Sequence, residues 1–205
     1  VITQRGLVQR LARRNLGAWS VVERIQDTAI TDELRALQRR DHRTRLAIIV
    51  HQDVPRGRGS ARLDLDSLDG SADDLIDQAI SLALAAVGPA WSSTPPAAPA
   101  RVSIVDDELL KRELDAASRN TLAGLRRPRD LTVLASAQIL REKITLIASS
   151  GFHFSWPATT IRADALVTTA TAATGNGDRS LTLTRQARRT EDLDLDAALA
   201  DAAVD

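Results

Sequence analysis

The sequence predicts an α+β fold in which two antiparallel β runs are each flanked by helices. Three observations carry this reading. Apolar residues recur with helical spacing at both ends and in two internal segments, alternating or β-branched stretches fill the space between, and a Pro-rich segment separates the two runs. The 205 residues suffice for one large domain or two small ones with a real core.

Ile2–Asn15 sets Leu7, Val8 and Leu11 against Arg5, Arg10, Arg13 and Arg14, an amphipathic helix stopped by Gly17. Four strands are expected between residues 19 and 66: Trp19–Ile25, Leu34–Arg39, Arg45–His51 and Ser60–Leu65. Polar breaks at Thr31–Glu33 and Asp41–Arg43 and a loop at Pro55–Gly59 separate them, as in a meander. Ser71 caps a helix over 72–87, with Asp73 and Asp74 at its positive end. Leu75, Ile76, Ala79, Ile80, Ala83, Leu84 and Val87 form its apolar face, which should cover the sheet. The stretch 89–100 carries Pro89, Pro95, Pro96 and Pro99 and reads as a stiff connection between subdomains 1–88 and 101–205. Beyond it, a helix is expected over 107–122, with Leu110, Leu114 and Ala117 inward and Gly124 as its stop. Strands follow at Leu131–Ile139, Ile144–Ala148, Phe152–Trp156, Thr160–Thr169 and Ser180–Gln186, with turns at Ser149–Gly151 and Gly175–Asp178. A last helix over 193–204 presents Leu195, Leu199 and Ala202 on one face.

Composition excludes several functions. Without cysteine there is no disulfide frame, thiol nucleophile or thiolate zinc site. Lys+Arg and Asp+Glu both number 27, which argues against a dedicated nucleic-acid binder. Charge is nevertheless uneven. Residues 1–66 hold 13 basic and 8 acidic groups, whereas residues 190–205 hold 6 acidic groups and no basic ones. Both segments are expected to face a partner surface. The basic residues are 25 Arg and only two Lys, the mark of a GC-rich genome. No membrane-spanning run or signal sequence is visible, so a soluble cytoplasmic chain is expected. The start at Val1 and the absence of Met suggest either a trimmed terminus or a piece of something longer.

No self-contained active site is expected. His42, His51 and His153 are not spaced as a helical metal clamp. His42 falls in an expected turn; His51 follows an apolar strand, with Asp53 placed to orient it. Arg56-Gly57-Arg58-Gly59-Ser60 lacks the spacing and following helix of a phosphate loop and reads as a hairpin loop. The carboxylate pairs Asp73/Asp74, Asp106/Asp107 and Asp194/Asp196 suit helix starts. Ser149 and Ser150 have no evident base. Phe152, Phe154 and Trp156 alternate along one strand and read as core or interface anchors.

In order, these features resemble the TldD/PmbA family of metalloproteases, also described as modulators of DNA gyrase. The stretches that carry the likeness are Leu11–Glu23 (LARRNLGAWSVVE), Leu46–Ala61 (LAIIVHQDVPRGRGSA), the Ala-rich helix Asp73–Val87 with its Pro-rich sequel, Ile139–Val167 (ILREKITLIASSGFHFSWPATTIRADALV) and Arg189–Ala203 (RTEDLDLDAALADAA). The resemblance implies the N-terminal domain of a subunit about twice as long. The family's catalytic subunit carries an H-E-x-x-x-H zinc motif, but the three histidines here precede Arg, Gln and Phe. The chain therefore looks more like the non-catalytic TldE/PmbA type, although the N-terminal half of a catalytic subunit is the other reading within the family. No cofactor is expected in this chain, with zinc only on a partner chain or a missing C-terminal half. The implied partners are a TldD-like subunit with H-E-x-x-x-H and unfolded peptides. A sheet edge takes up extended peptide by strand addition. The contact residues expected are Arg56, Arg58 and Ser60 at one edge, and Phe152, Phe154 and Trp156 at the other. The alternatives outside the family are a stand-alone protein-interaction module with no protease role and an independent hydrolase with a scattered site.

Overall fold

The computed structural model describes residues 1–65, 67–90, 104–129, 131–169 and 180–202. Most of the Pro-rich connection at 89–100 and the expected turn at Gly175–Asp178 lie outside them. Seven strands form one antiparallel sheet in the order β4-β3-β2-β1-β5-β6-β7, where β1 is Ala18–Asp32, β2 Leu37–Val54, β3 Gly57–Leu65, β4 Val87–Gly88, β5 Leu131–Ala148, β6 His153–Thr169 and β7 Ser180–Ala187. The helices are α1 (Gln4–Leu11), α2 (Ala72–Ala85), α3 (Asp107–Lys111), α4 (Leu114–Ala123) and α5 (Leu195–Ala202). The chain forms two compact units, the first from Val1–Ile25, Arg43–Val102 and Lys143–Trp156 and the second from Gln26–His42, Ser103–Glu142 and Pro157–Asp205.

Strands are fewer and longer than the sequence predicts. Three strands replace the four expected between residues 19 and 66, and three replace the five expected after residue 131. The first reversal is a turn within residues 33–36, where Ala36 has φ 48° and the Arg35 N–H donates to Asp32 Oδ1 at 3.1 Å. The expected break at Asp41–Arg43 is strand, because its polar side chains find partners along the sheet: His42 Nδ1 lies 2.7 Å from Asp27 Oδ1, and Arg39 pairs with Asp41 at 3.7 Å. Arg141-Glu142-Lys143 likewise does not interrupt β5. Gln26 Nε2 donates to Glu142 at 2.6 Å, and Arg141 donates to the Leu110 carbonyl at 2.9 Å.

In the first unit, Leu7 and Leu11 of α1 and Ile76, Ala79 and Ala83 of α2 pack on Val21, Leu46, Ile48, Val50 and Leu65. Thr3 caps α1, and Ser71 Oγ accepts from the Asp74 N–H at 3.3 Å as the sequence predicts. α1 stops at Leu11, well before Gly17, so that glycine is no helix stop. Instead, a Cβ at Gly17 would overlap the Asp53 carboxylate. α2 ends at Ala85, which leaves Leu84 and Val87 exposed rather than inward. The β2–β3 reversal needs only Pro55 and Arg56, with Val54 opposite Gly57, so the expected loop at Pro55–Gly59 is mostly strand.

The glycines of that segment have a steric purpose. Gly59 pairs with Val87 and lies beneath the end of α2, where a Cβ would overlap the Ala83 carbonyl oxygen. Gly57, at φ 144°, comes equally close to the Gly88 carbonyl.

In the second unit, α4 and α5 lay Leu122, Leu195 and Leu199 on Val133, Ala135, Ala137, Ala163, Ala165 and Val167. Leu109, Leu114 and Ala117 cover Ala29, Ile139 and Ile161. The single helix expected over 107–122 is two, because Arg112 is extended (ψ 153°) and Glu113 caps α4 through the Ala116 N–H. That break buries Leu109 where Leu110 was expected. Asp106 ties this region together. Its Oδ1 accepts from the Glu108 and Leu109 N–H groups, and its Oδ2 from the Thr190 N–H and hydroxyl at 2.9 and 2.7 Å. Partial burial raises the Asp106 pKa, but those four hydrogen bonds outweigh it and hold the carboxyl below its ordinary value.

Two outcomes follow for equilibrium unfolding in urea. Gly59→Ala is expected to cost about 1–3 kcal/mol or more from overpacking, against about 0.5 kcal/mol or less for Gly88→Ala, whose Cβ meets nothing within 4 Å. Asp106→Ala is expected to cost about 1–2 kcal/mol near neutral pH. A depressed native pKa gives stability that is present above the unfolded-state value and lost as pH falls through the native one, so the variant's deficit should shrink in acid.

Candidate functional site

Among the described residues, no three or more His, Asp or Glu side chains gather so as to hold a metal ion. The described residues do not fit the zinc centre of the resembled family. His42 is held by Asp27, whose pKa is lowered first by that hydrogen bond and further by the charges of His42, Arg141 and Arg40. His51 has its pKa pushed down, mainly by burial and then by the Arg58 charge. Asp53 turns both carboxylate oxygens to Arg58, at 2.6 and 3.1 Å. His153 is exposed at the start of β6.

Of the expected contact residues, Arg58 and Ser60 fall on β3 and Phe154 and Trp156 on β6, with Phe152 just before it. Arg58 and Ser60 lie in β3 opposite Asp53 and His51, while Arg56 is exposed in the turn. The edge they were expected to offer is partly taken, since β4 pairs with Arg58 and Gly59. The other edge differs. β7 pairs with β6 only from Ile161 to Thr168, and among the described residues no strand pairs with His153–Trp156 on the side away from β5. Pro157, which follows, has no N–H to offer a neighbour, as is common at sheet edges.

Strand alternation places the side chains. Leu46, Ile48 and Val50 point to the helices, so Arg45, Ala47, Ile49, His51 and Asp53 point away, together with Arg58, Ser60, Arg62 and Asp64 across the β2–β3 ladder. Val21 points to the helices and Val22 and Arg24 away. Gln26 meets Glu142, which puts Ile144 and Leu146 on the same outer face. Thr145 meets Ser155 on the helix side at 3.1 Å, so Phe154 and Trp156 also face outward. The three aromatics form a half-buried row, with ring centroids 6.1 Å apart for Phe152 and Phe154 and 5.0 Å apart for Phe154 and Trp156. The structure thus sets both groups of contact residues on one face but not side by side. β3 and β6 are four places apart in the sheet, about 19 Å.

A feature the sequence reading missed lies between them. Val22, Arg24, Arg45, Ala47, Arg62 and Asp64 line a shallow depression on this outer face. The spacings Arg45-x-Ala47 and Arg62-x-Asp64 put each pair on one face of a strand. Which strands adjoin is not written in either segment.

The architecture defines a class, an α+β domain whose helices pack on one seven-stranded antiparallel sheet. Within it, the chain has the fold of TldE from Thermococcus kodakarensis, with a TM-score of 0.63 at 14% identity over 98% of this chain and 47% of that one. It likewise matches putative modulators of DNA gyrase from Bacteroides thetaiotaomicron (TM-score 0.57, 14% identity, 94% of this chain and 47% of that one) and Thermotoga maritima (TM-score 0.58, 14% identity, 98% and 48%). The chain therefore spans about half the length of these structures. No family model matches it, and no curated protein matches it significantly. Among the described residues, no helix is long and apolar enough to cross a membrane.

Phe154→Ala removes both ring contacts of the aromatic row. It is expected to cost about 1–2 kcal/mol in urea unfolding, less than the ~3–5 kcal/mol of a fully buried phenylalanine.

Proposed function

We propose that this chain is a non-catalytic part of a TldD/TldE-like zinc metalloprotease complex, serving as scaffold and as one wall of a peptide channel. The observation that carries the proposal is the fold likeness, which takes in 98% of this chain but 47% of TldE. A domain of that extent leaves room for a catalytic centre elsewhere in the assembly. The expected partner is a chain or segment bearing H-E-x-x-x-H, and zinc belongs there. The same reading puts the complex in the cytoplasm.

The first unit suits the task physically. Along His153–Trp156, no described strand pairs on the side away from β5, and Phe152, Phe154 and Trp156 offer apolar surface beside that edge. An extended peptide docking there would be read through its backbone, with little demand on sequence. Arg56, Arg58 and Ser60 are proposed as contacts to the partner subunit.

The test is native mass spectrometry with metal analysis on the chain purified from its source cells. A complex with an H-E-x-x-x-H chain is expected, with about one zinc per copy of that partner and none on this chain alone. A zinc-loaded preparation of this chain by itself that hydrolyses peptides would overturn the proposal, as would a monomer that never associates with such a partner.

A further inference from the structure

We infer that the outer face of the first unit carries a carboxylate-binding site built by Arg24, Arg45 and Arg62, and that its ligand is an extended acidic peptide segment. The inference does not depend on the protease reading. The three arginines stand on β1, β2 and β3, consecutive strands of the sheet, so their stems are spaced over about 10 Å. They rim the depression floored by Val22 and Ala47, and Ala47 is only 4% exposed.

The charges of this rim do not balance among the described residues. Asp64 is its one carboxylate. It is bound through both oxygens by Arg62, at 2.6, 3.0 and 3.1 Å, and its pKa is lowered first by that bonding and then by the charges of Arg62 and Arg24. No described carboxylate forms an ion pair with Arg24 or Arg45; Asp66, next along the chain from Leu65, lies outside the described residues. Two like charges on neighbouring strands repel, and an incoming carboxylate relieves that repulsion while accepting charge-assisted hydrogen bonds from both.

The surroundings favour a peptide over a bare anion. Val22, Ala47 and Ile49 continue the outer face, with Ile144, Leu146, Phe154 and Trp156 on the next strands. An extended peptide with acidic and apolar side chains two residues apart would place a carboxylate over the arginines and an apolar group on this strip.

The experiment is fluorescence anisotropy of the full chain with labelled peptides repeating Glu-Ser-Leu-Ser, Gln-Ser-Leu-Ser or Lys-Ser-Leu-Ser, which put both side chains on one face when extended, with inorganic phosphate as competitor. The Glu peptide is expected to bind about tenfold or more tightly than the Gln peptide, with affinity falling as salt rises. The double variant Arg24→Gln/Arg45→Gln is expected to lose that preference while retaining the wild-type circular dichroism spectrum, and Arg13→Gln, in the turn after α1, to leave binding unchanged. Equal binding of Glu and Gln peptides would overturn the inference. So would an unaltered Glu preference in the double variant, or displacement by phosphate at concentrations equal to the peptide's.

Discussion

Unbroken alternation along four long strands is the constraint on which the rest of this structure depends. β1, β2, β5 and β6 run for 15, 18, 18 and 17 residues, roughly 50–60 Å of extended chain each. Each supplies one end to the first unit and the other to the second. A single inserted residue would turn every later side chain to the opposite face. In β1, Val21 packs with α1 and α2 in the first unit, and Ala29 packs with α3 and α4 in the second.

That constraint explains what was legible in the sequence and what was not. Helix positions were readable where caps and apolar spacings are local, as Ser71 with Asp74 and Leu195 with Leu199 show, whereas the break at Arg112 was not. The α+β class and the alternating row Phe152, Phe154 and Trp156 were readable for the same reason. Strand continuity was hidden wherever the middle of a strand is polar. Asp41-His42-Arg43 and Arg141-Glu142-Lys143 have the composition of loops, yet His42 meets Asp27 and Glu142 meets Gln26. Those partners are 15 and 116 residues away, so no local pattern shows that the polar groups are satisfied within the sheet.

The candidate site divides along the same line. Arg56-Gly57-Arg58-Gly59-Ser60 was readable as a hairpin without a phosphate-loop geometry, but the reason for its glycines was not. They admit the end of α2 and the short strand β4, elements roughly 25 residues downstream that take part of the edge a peptide was expected to use. Arg24, Arg45 and Arg62 each look like ordinary surface arginines in their own segments. Only the strand order makes them neighbours, and only the commitment of Asp64 to Arg62 leaves the depression short of negative charge among the described residues.

The two faces of the first unit therefore serve different ends. On the helix side, burial dictates residue type: Leu7, Leu11, Ile48 and Ile76 are fully enclosed, and a change of size there is felt at once. Many sequences with the same alternation can satisfy that side, which is how a fold persists at 14% identity to TldE. On the outer face, packing tolerates polar and charged residues alike, so the arginines and the aromatic row are not there to fill a core. A likeness at that identity carries the arrangement of strands and helices and not the side chains of the outer face. What distinguishes this chain in binding must therefore be sought where its helices do not reach.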